Sequence, residues 1–215
     1  MAAPDFVHLH VHSEYSLLDG ANRIGDLVKA CKEDGQRALA LTDHGNMHGA
    51  VELYQKAHAG DVKPLLGCEV YIAKRSMREK HSKKNGNGYS HLTLLARTNE
   101  GYQNLVKLTS AGFVDGFHFK PRIDMDLLRE HASGISCLSG CLAGEINQLT
   151  RTGKEKEAED LASGMRDLFG PEHFWLELQR NGIDLQTKVN ENLVRLHQRT
   201  GIPLVATNDI HYLRQ

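Results

Sequence analysis

Short apolar runs alternate with longer amphipathic ones along the whole chain. Strand-like runs occupy 6–12, 38–42, 65–72, 91–96, 134–138, 174–178 and 204–207, rich in Val, Leu, Ile and Ala and mostly bounded by Gly, Pro, Asp or Asn. The stretches between them predict helices. Segment 24–34 puts Ile24, Leu27, Val28 and Cys31 on one face at the i, i+3, i+4, i+7 spacing, and Gly35 follows as a stop. Segments 47–59, 100–110, 154–168 and 184–199 read the same way, with Gly170-Pro171 and Gly201 ending the last two. Strands alternating with helices predict βαβ units and a mainly parallel sheet. Seven strand candidates suit either an α/β barrel or an open wound sheet, and periodicity does not choose between them.

Composition narrows the class without naming a partner. The 215 residues suit one large domain, with 40% hydrophobic and 25% charged residues as in an ordinary globular protein. A formal net charge of −1 leaves no bulk attraction for polyanions, so contact with nucleic acid would need a local patch. Four cysteines, no leader-like start and no long apolar stretch predict a reducing, cytoplasmic setting without disulfides and no membrane partner. One segment breaks the alternation. Residues 74–90 carry six basic side chains (Lys74, Arg75, Arg78, Lys80, Lys83 and Lys84) against one acidic residue, with an Asn-Gly-Asn-Gly run. This segment reads either as a solvated loop or as a basic arm over a polyanion site.

Histidine changes the picture, because there are 13 and many fall at the ends of predicted strands. The first strand carries His8, His10 and His12 in alternation, which places all three on one face. Asp19 follows in the next loop. The second strand ends at Asp43-His44, the third contains Glu69, and the fourth opens at His91. The fifth leads to Cys141, and the last runs into Asp209 and His211. In a parallel α/β barrel the C-terminal strand ends converge on one face, where active sites form. Imidazole, carboxylate and a lone thiolate favour Zn²⁺, with Mn²⁺ or Fe²⁺ as alternatives. Nine donors exceed one tetrahedral ion and suit two or three, bridged by carboxylates such as Glu69 or Asp19. Such centres support phosphoester hydrolysis.

At these positions the sequence resembles a known family. HLHVHSEYSLLDG, ALTDHGNMHGAVE, LLGCEVYIA, HLTLLARTNEGYQNLVKL, KPRID, LSGCLAGEI and VATNDIHY are similar, in order, to the PHP (polymerase and histidinol phosphatase) domain of bacterial replicative DNA polymerase α subunits. GYQNLVKL and KPRID are the polymerase-type segments. The resemblance covers essentially the whole chain and implies a distorted (β/α)₇ TIM-like barrel over residues 1–215, cut from a much longer polymerase chain. It implies metal ligation by His10, His12, Asp19, His44, Glu69, His91, Cys141, Asp209 and His211. His8 and Asp43 would then stand behind those ligands, and Cys31, Cys68 and Cys137 would be small core residues. The implied activity is a phosphoesterase, in its sharpest form a 3′→5′ exonuclease on single-stranded DNA. The implied partners are DNA, the remainder of the α chain, a sliding clamp and a separate proofreading subunit. A scaffold braced by metal but without catalysis is the competing expectation.

Overall fold

The computed structural model describes residues 6–80 and 88–214. Lys83 and Lys84, part of the basic segment, lie outside the described residues. The elements run α1 (Ile24–Glu33), β1 (Ala38–Leu41), α2 (Ala50–Ala59), β2 (Lys63–Ala73), β3 (Tyr89–Ala96), α3 (Asn99–Val114), β4 (Phe117–His118), β5 (Lys120–Ile123), α4 (Met125–Glu130), β6 (Ile135–Leu138), α5 (Glu145–Arg151), α6 (Glu155–Phe169), β7 (Phe174–Gln179), α7 (Asp184–Thr200) and β8 (Leu204–Thr207).

The fold is mixed α/β, with a curled sheet and helices packed on its outer face, as in a distorted TIM-like barrel. β1 pairs parallel to β2, β2 antiparallel to β3, β3 antiparallel to β6, and β6, β7 and β8 follow in parallel. The predicted first strand is not a regular strand. Residues 8–11 form only isolated parallel bridges, His8 to Leu39 and Val11 to Ile210, with a bend at His10. Those two bridges lie on either side of this segment and join β1 to the chain beyond β8, so the curl closes through it. The seven staves are this segment, β1, β2, β3, β6, β7 and β8.

A second departure is the direction of β3, which runs against its neighbours. β3 pairs antiparallel with β2 along its length, and among the described residues between them there is no helix. The start of β3 therefore lies on the same face as the C-terminal ends of the parallel strands. His91, at a strand beginning, faces Tyr71 near the end of β2.

Local chemistry explains the other boundaries. The predicted face of α1 is the buried one, comprising Ile24, Leu27, Val28 and Cys31. Thr98 caps α3 by accepting from the Gly101 amide, and Asp124 caps α4 by accepting from Leu127. α7 ends where Gly201 turns left-handed, at φ 71°. Two apolar clusters fill the interior. The larger joins β2, β3, β6 and β7 to α3, α6 and α7, and the smaller packs α1 and α2 on β1. Cys68 and Cys137 sit in the first and Cys31 in the second, all buried and unbridged. The β4–β5 hairpin and the short helices α4 and α5 were not apparent from periodicity, being too short to show one.

Candidate metal centre

Glu69 is the hub of the site. It lies within β2, where bridge pairing sets His44 beside it and antiparallel pairing sets Thr93 across from it. One carboxylate oxygen, Oε1, faces His91 Nδ1 at 2.9 Å, Cys141 Sγ at 3.4 Å and His10 Nε2 at 3.6 Å. The other, Oε2, faces His44 Nδ1 at 2.6 Å and His12 Nε2 at 3.6 Å. Asp209 closes the opposite side, with Oδ1 3.4 Å from His10 Nε2, 3.3 Å from His12 Nε2 and 3.7 Å from His211 Nδ1. Asp19 sits at the mouth, half exposed, 3.3 Å from His44 Nε2 and 3.9 Å from His211 Nε2. The fold thus brings together all nine side chains singled out in the sequence.

Backbone geometry that few residues tolerate aims several of them. Asp209 itself has φ 51°, in the left-handed region, directly beyond β8. Gly140 has φ 83°, and a Cβ there would stand 2.7 Å from the His91 carbonyl. Only glycine lets the chain turn from β6 into Cys141 this close to β3.

Hydrogen bonds fix which nitrogen of each buried histidine faces inward. His10 Nδ1 lies 2.7 Å from Glu177 Oε1. A carboxylate only accepts, so Nδ1 carries a proton and Nε2 is turned toward Glu69 and Asp209. Glu177 also accepts from Thr207 Oγ1 and from the Gly140 amide at 3.1 Å. His12 is held through Ser16. The Ser16 hydroxyl donates to Asp43 Oδ1 at 2.7 Å, so it accepts from His12 Nδ1 at 3.0 Å and from the His44 amide at 3.1 Å. Asp43 also takes the Ser13 amide and hydroxyl, each at 2.7 Å. It acts on the histidines through the 13–16 turn and touches neither ring.

His8 stands apart from the cluster. Its ring meets Phe6 edge-on at 4.9 Å, and its bridge partner is Leu39. The alternation that would have aligned it with His10 and His12 fails because the segment bends. Glu177 is the residue that sequence reasoning missed. A glutamate inside the strand FWLELQ reads as an outward-facing polar position, whereas here it is 1% exposed.

Burial and neighbouring charges act together on the titratable groups of the site. Burial opposes ionisation of Glu69, yet His91 and His10 hold its carboxyl well below the ordinary carboxylate range. Burial works against protonated His10, but Glu177, Asp209 and Glu69 raise its pKa well above the usual imidazole value. Burial, with Glu69 nearby, pushes the Cys141 thiol up. His10 Nε2, His12 Nε2 and Asp209 Oδ1 are buried polar atoms without a hydrogen-bond partner. Such atoms are costly unless something else satisfies them. Three overlapping donor groups (His12, His44 and His211; His10, His12 and Glu69; His44, Glu69 and His91) each bring their ligand atoms within 4.8 Å of one another. The donor types fit a divalent metal, and Glu69 belongs to two of the three groups.

The chain is similar to known proteins over its whole length. The sequence profile of the PHP domain matches residues 8–181. The DNA polymerase III subunit alpha of Treponema pallidum is 47% identical over 215 residues, covering 100% of this chain and 18% of that protein. The corresponding subunits of Deinococcus radiodurans and Thermus aquaticus are 48% and 47% identical, covering 98% of this chain and 16% and 17% of theirs. The chain thus spans about a sixth of the length of these curated relatives. Among solved structures, a protein of Bifidobacterium adolescentis assigned as a metal-dependent phosphoesterase superposes with a TM-score of 0.56 at 14% identity. That match covers 96% of this chain and 87% of the other. On the profile match and the polymerase relatives together, the chain belongs to the PHP domain family.

Proposed function

We propose that this chain is a metal-dependent phosphodiesterase domain that removes nucleotides from the 3′ end of single-stranded DNA, within a longer polypeptide whose polymerase activity lies elsewhere. The observation that carries this reading is the convergence of buried polar atoms without hydrogen bonds, from His10, His12 and Asp209, around the Glu69 carboxylate, beside a solvent-open cleft that Asp19, His44 and His91 line. His10, His12, Asp19, His44, Glu69, His91, Cys141, Asp209 and His211 would hold two or three ions, with Zn²⁺ favoured over Mn²⁺ and Fe²⁺ by the thiolate. Bound there, such ions lower the pKa of water and stabilise charge on a phosphoryl group.

The chain's own residues supply the preorganisation. Glu177 keeps His10 Nε2 turned inward, and Asp43 does the same for His12 through Ser16. Asp19, half exposed, stands where solvent and substrate reach the cluster. Hydrolysis adds a water oxygen to phosphorus and breaks the bond to the 3′ oxygen of the preceding nucleotide, leaving a 3′-hydroxyl on the shortened strand.

The test is incubation of the chain with 3′-labelled single-stranded DNA and Zn²⁺ or Mn²⁺, beside His12→Ala. The expected result is metal-dependent release of 3′ nucleotides, reduced at least 100-fold in the variant. A folded, metal-loaded chain that releases nothing would refute the proposal and leave a structural role. One observation favours that second reading. His10, His12 and Glu69 are fully buried, the two histidines on the irregular first segment and Glu69 on β2, so ions among them would also rivet the barrel. The domain would then brace the polymerase core or dock a proofreading subunit.

A further inference from the structure

The cleft above the metal centre has a second set of functional groups that the proposed ligands do not use. Its volume is about 560 Å³, and Lys74, Lys120 and Arg151 line it beside Asp19, His44 and His91. None of these three cations has an ion-pair partner among the described residues, whereas Lys29, Lys56, Lys154 and Lys156 each pair with a carboxylate. They come from three separate parts of the fold. Lys74 follows the end of β2, Lys120 opens β5, and Arg151 ends α5. Pairing of β5 with the end of β2 carries Lys120 to the cleft, where its Nζ lies 5.3 Å over the Tyr71 ring. The buried Arg122 anchors this arrangement by donating to the carbonyls of Met77 and Glu79 at 2.8 and 2.9 Å. Tyr89 adds a half-buried ring to the same wall, parallel to His91 at 6.0 Å.

We infer that this wall is a subsite for a single nucleic-acid strand, with Lys74, Lys120 and Arg151 holding backbone phosphates and Tyr89 offering its ring to a base. Three unpaired cations with an interleaved aromatic are the combination that binds single strands without reading sequence. The subsite differs from the basic arm expected over 74–90. Of its described basic members only Lys74 lines the cleft, and Arg78 faces Asp115 at 4.0 Å. The KPRID motif is largely absorbed here: Lys120 faces the strand and Arg122 braces the arm. This inference rests on the phosphodiesterase reading for its substrate, but its test does not require catalysis.

The experiment is fluorescence anisotropy of a labelled ten-nucleotide oligothymidylate titrated with the chain in EDTA, across a range of salt concentrations. Lys74→Gln/Lys120→Gln/Arg151→Gln should bind at least tenfold more weakly at low salt. The slope of log affinity against log salt should fall by about 2, three phosphate contacts at about 0.7 each. Tyr89→Leu should weaken binding about five- to tenfold with the slope unchanged. A control lacking the same charge on α1 and α7, Lys29→Gln/Lys32→Gln/Lys188→Gln, should bind like the parent. Parental affinity and slope in the cleft variant, or an equal loss in the control, would overturn the subsite. If the strand binds through these cations but added metal releases no nucleotide, the catalytic proposal fails and the subsite stands. If metal-dependent release persists while the cleft substitutions leave affinity untouched, the subsite fails and the catalytic proposal stands. Displacement of the strand by inorganic phosphate at equal molar concentration would identify a free-phosphate site instead and overturn the assignment to a strand.

Discussion

His10 is oriented for ligation by Glu177, 167 residues away, rather than by any neighbour in sequence. Carboxylates that hold the far nitrogen of a metal-binding histidine fix its tautomer and raise its basicity. Glu177→Gln keeps the shape and removes the charge, so it should weaken metal affinity about 10- to 100-fold. Competition with a chromogenic chelator reads this directly, and unchanged affinity would remove Glu177 from the account. The nine candidate donors were legible in the sequence because they recur at strand ends. Glu177 was not, since its role depends on β7 lying between β6 and β8, which periodicity does not report. His8 misleads for the converse reason, because alternation assumes a straight strand and the chain bends at His10.

At the scale of elements, the β2–β3 connection and the β4–β5 hairpin decide how the cleft is walled. Most strands and the long helices could be read from apolar spacing within a few residues. The direction of β3 could not, because an apolar run looks the same in either orientation. The hairpin was hidden by its length, and by Arg122, a charged residue 2% exposed in a strand of four. Arg122 donates to the carbonyls of Met77, Glu79 and Gly116, tying the connection to the hairpin. Arg122→Met would leave those acceptors unsatisfied in a closed space. The expected cost is about 3 kcal/mol, roughly 6–12 °C in Tm for a chain of this size. Denaturant unfolding measures it, and a loss under about 0.5 kcal/mol would show that methionine packing compensates.

Across the whole molecule, the chain closes a barrel whose seam is an irregular segment rather than a strand. That segment carries His10 and His12, and it touches β1 on one side and the chain beyond β8 on the other. Ions at this seam would join the first and last parts of the barrel, so metal binding would be coupled to closure. An ion at 100 times its dissociation constant adds about 2.7 kcal/mol to the folded state. Fold class and the face bearing the site followed from the sequence. The route of closure did not, because it rests on two bridges rather than on a periodic pattern. No helix among the described residues is long and apolar enough to cross a membrane. The central claim is that the clustered donors form one shared metal centre, and metal content per chain tests it most directly. After equilibration with micromolar Zn²⁺ and gel filtration, the chain should retain two or three ions, and His44→Ala and Asp209→Ala should each retain fewer. A folded parent chain that retains none, or two variants that retain the full complement, would contradict it.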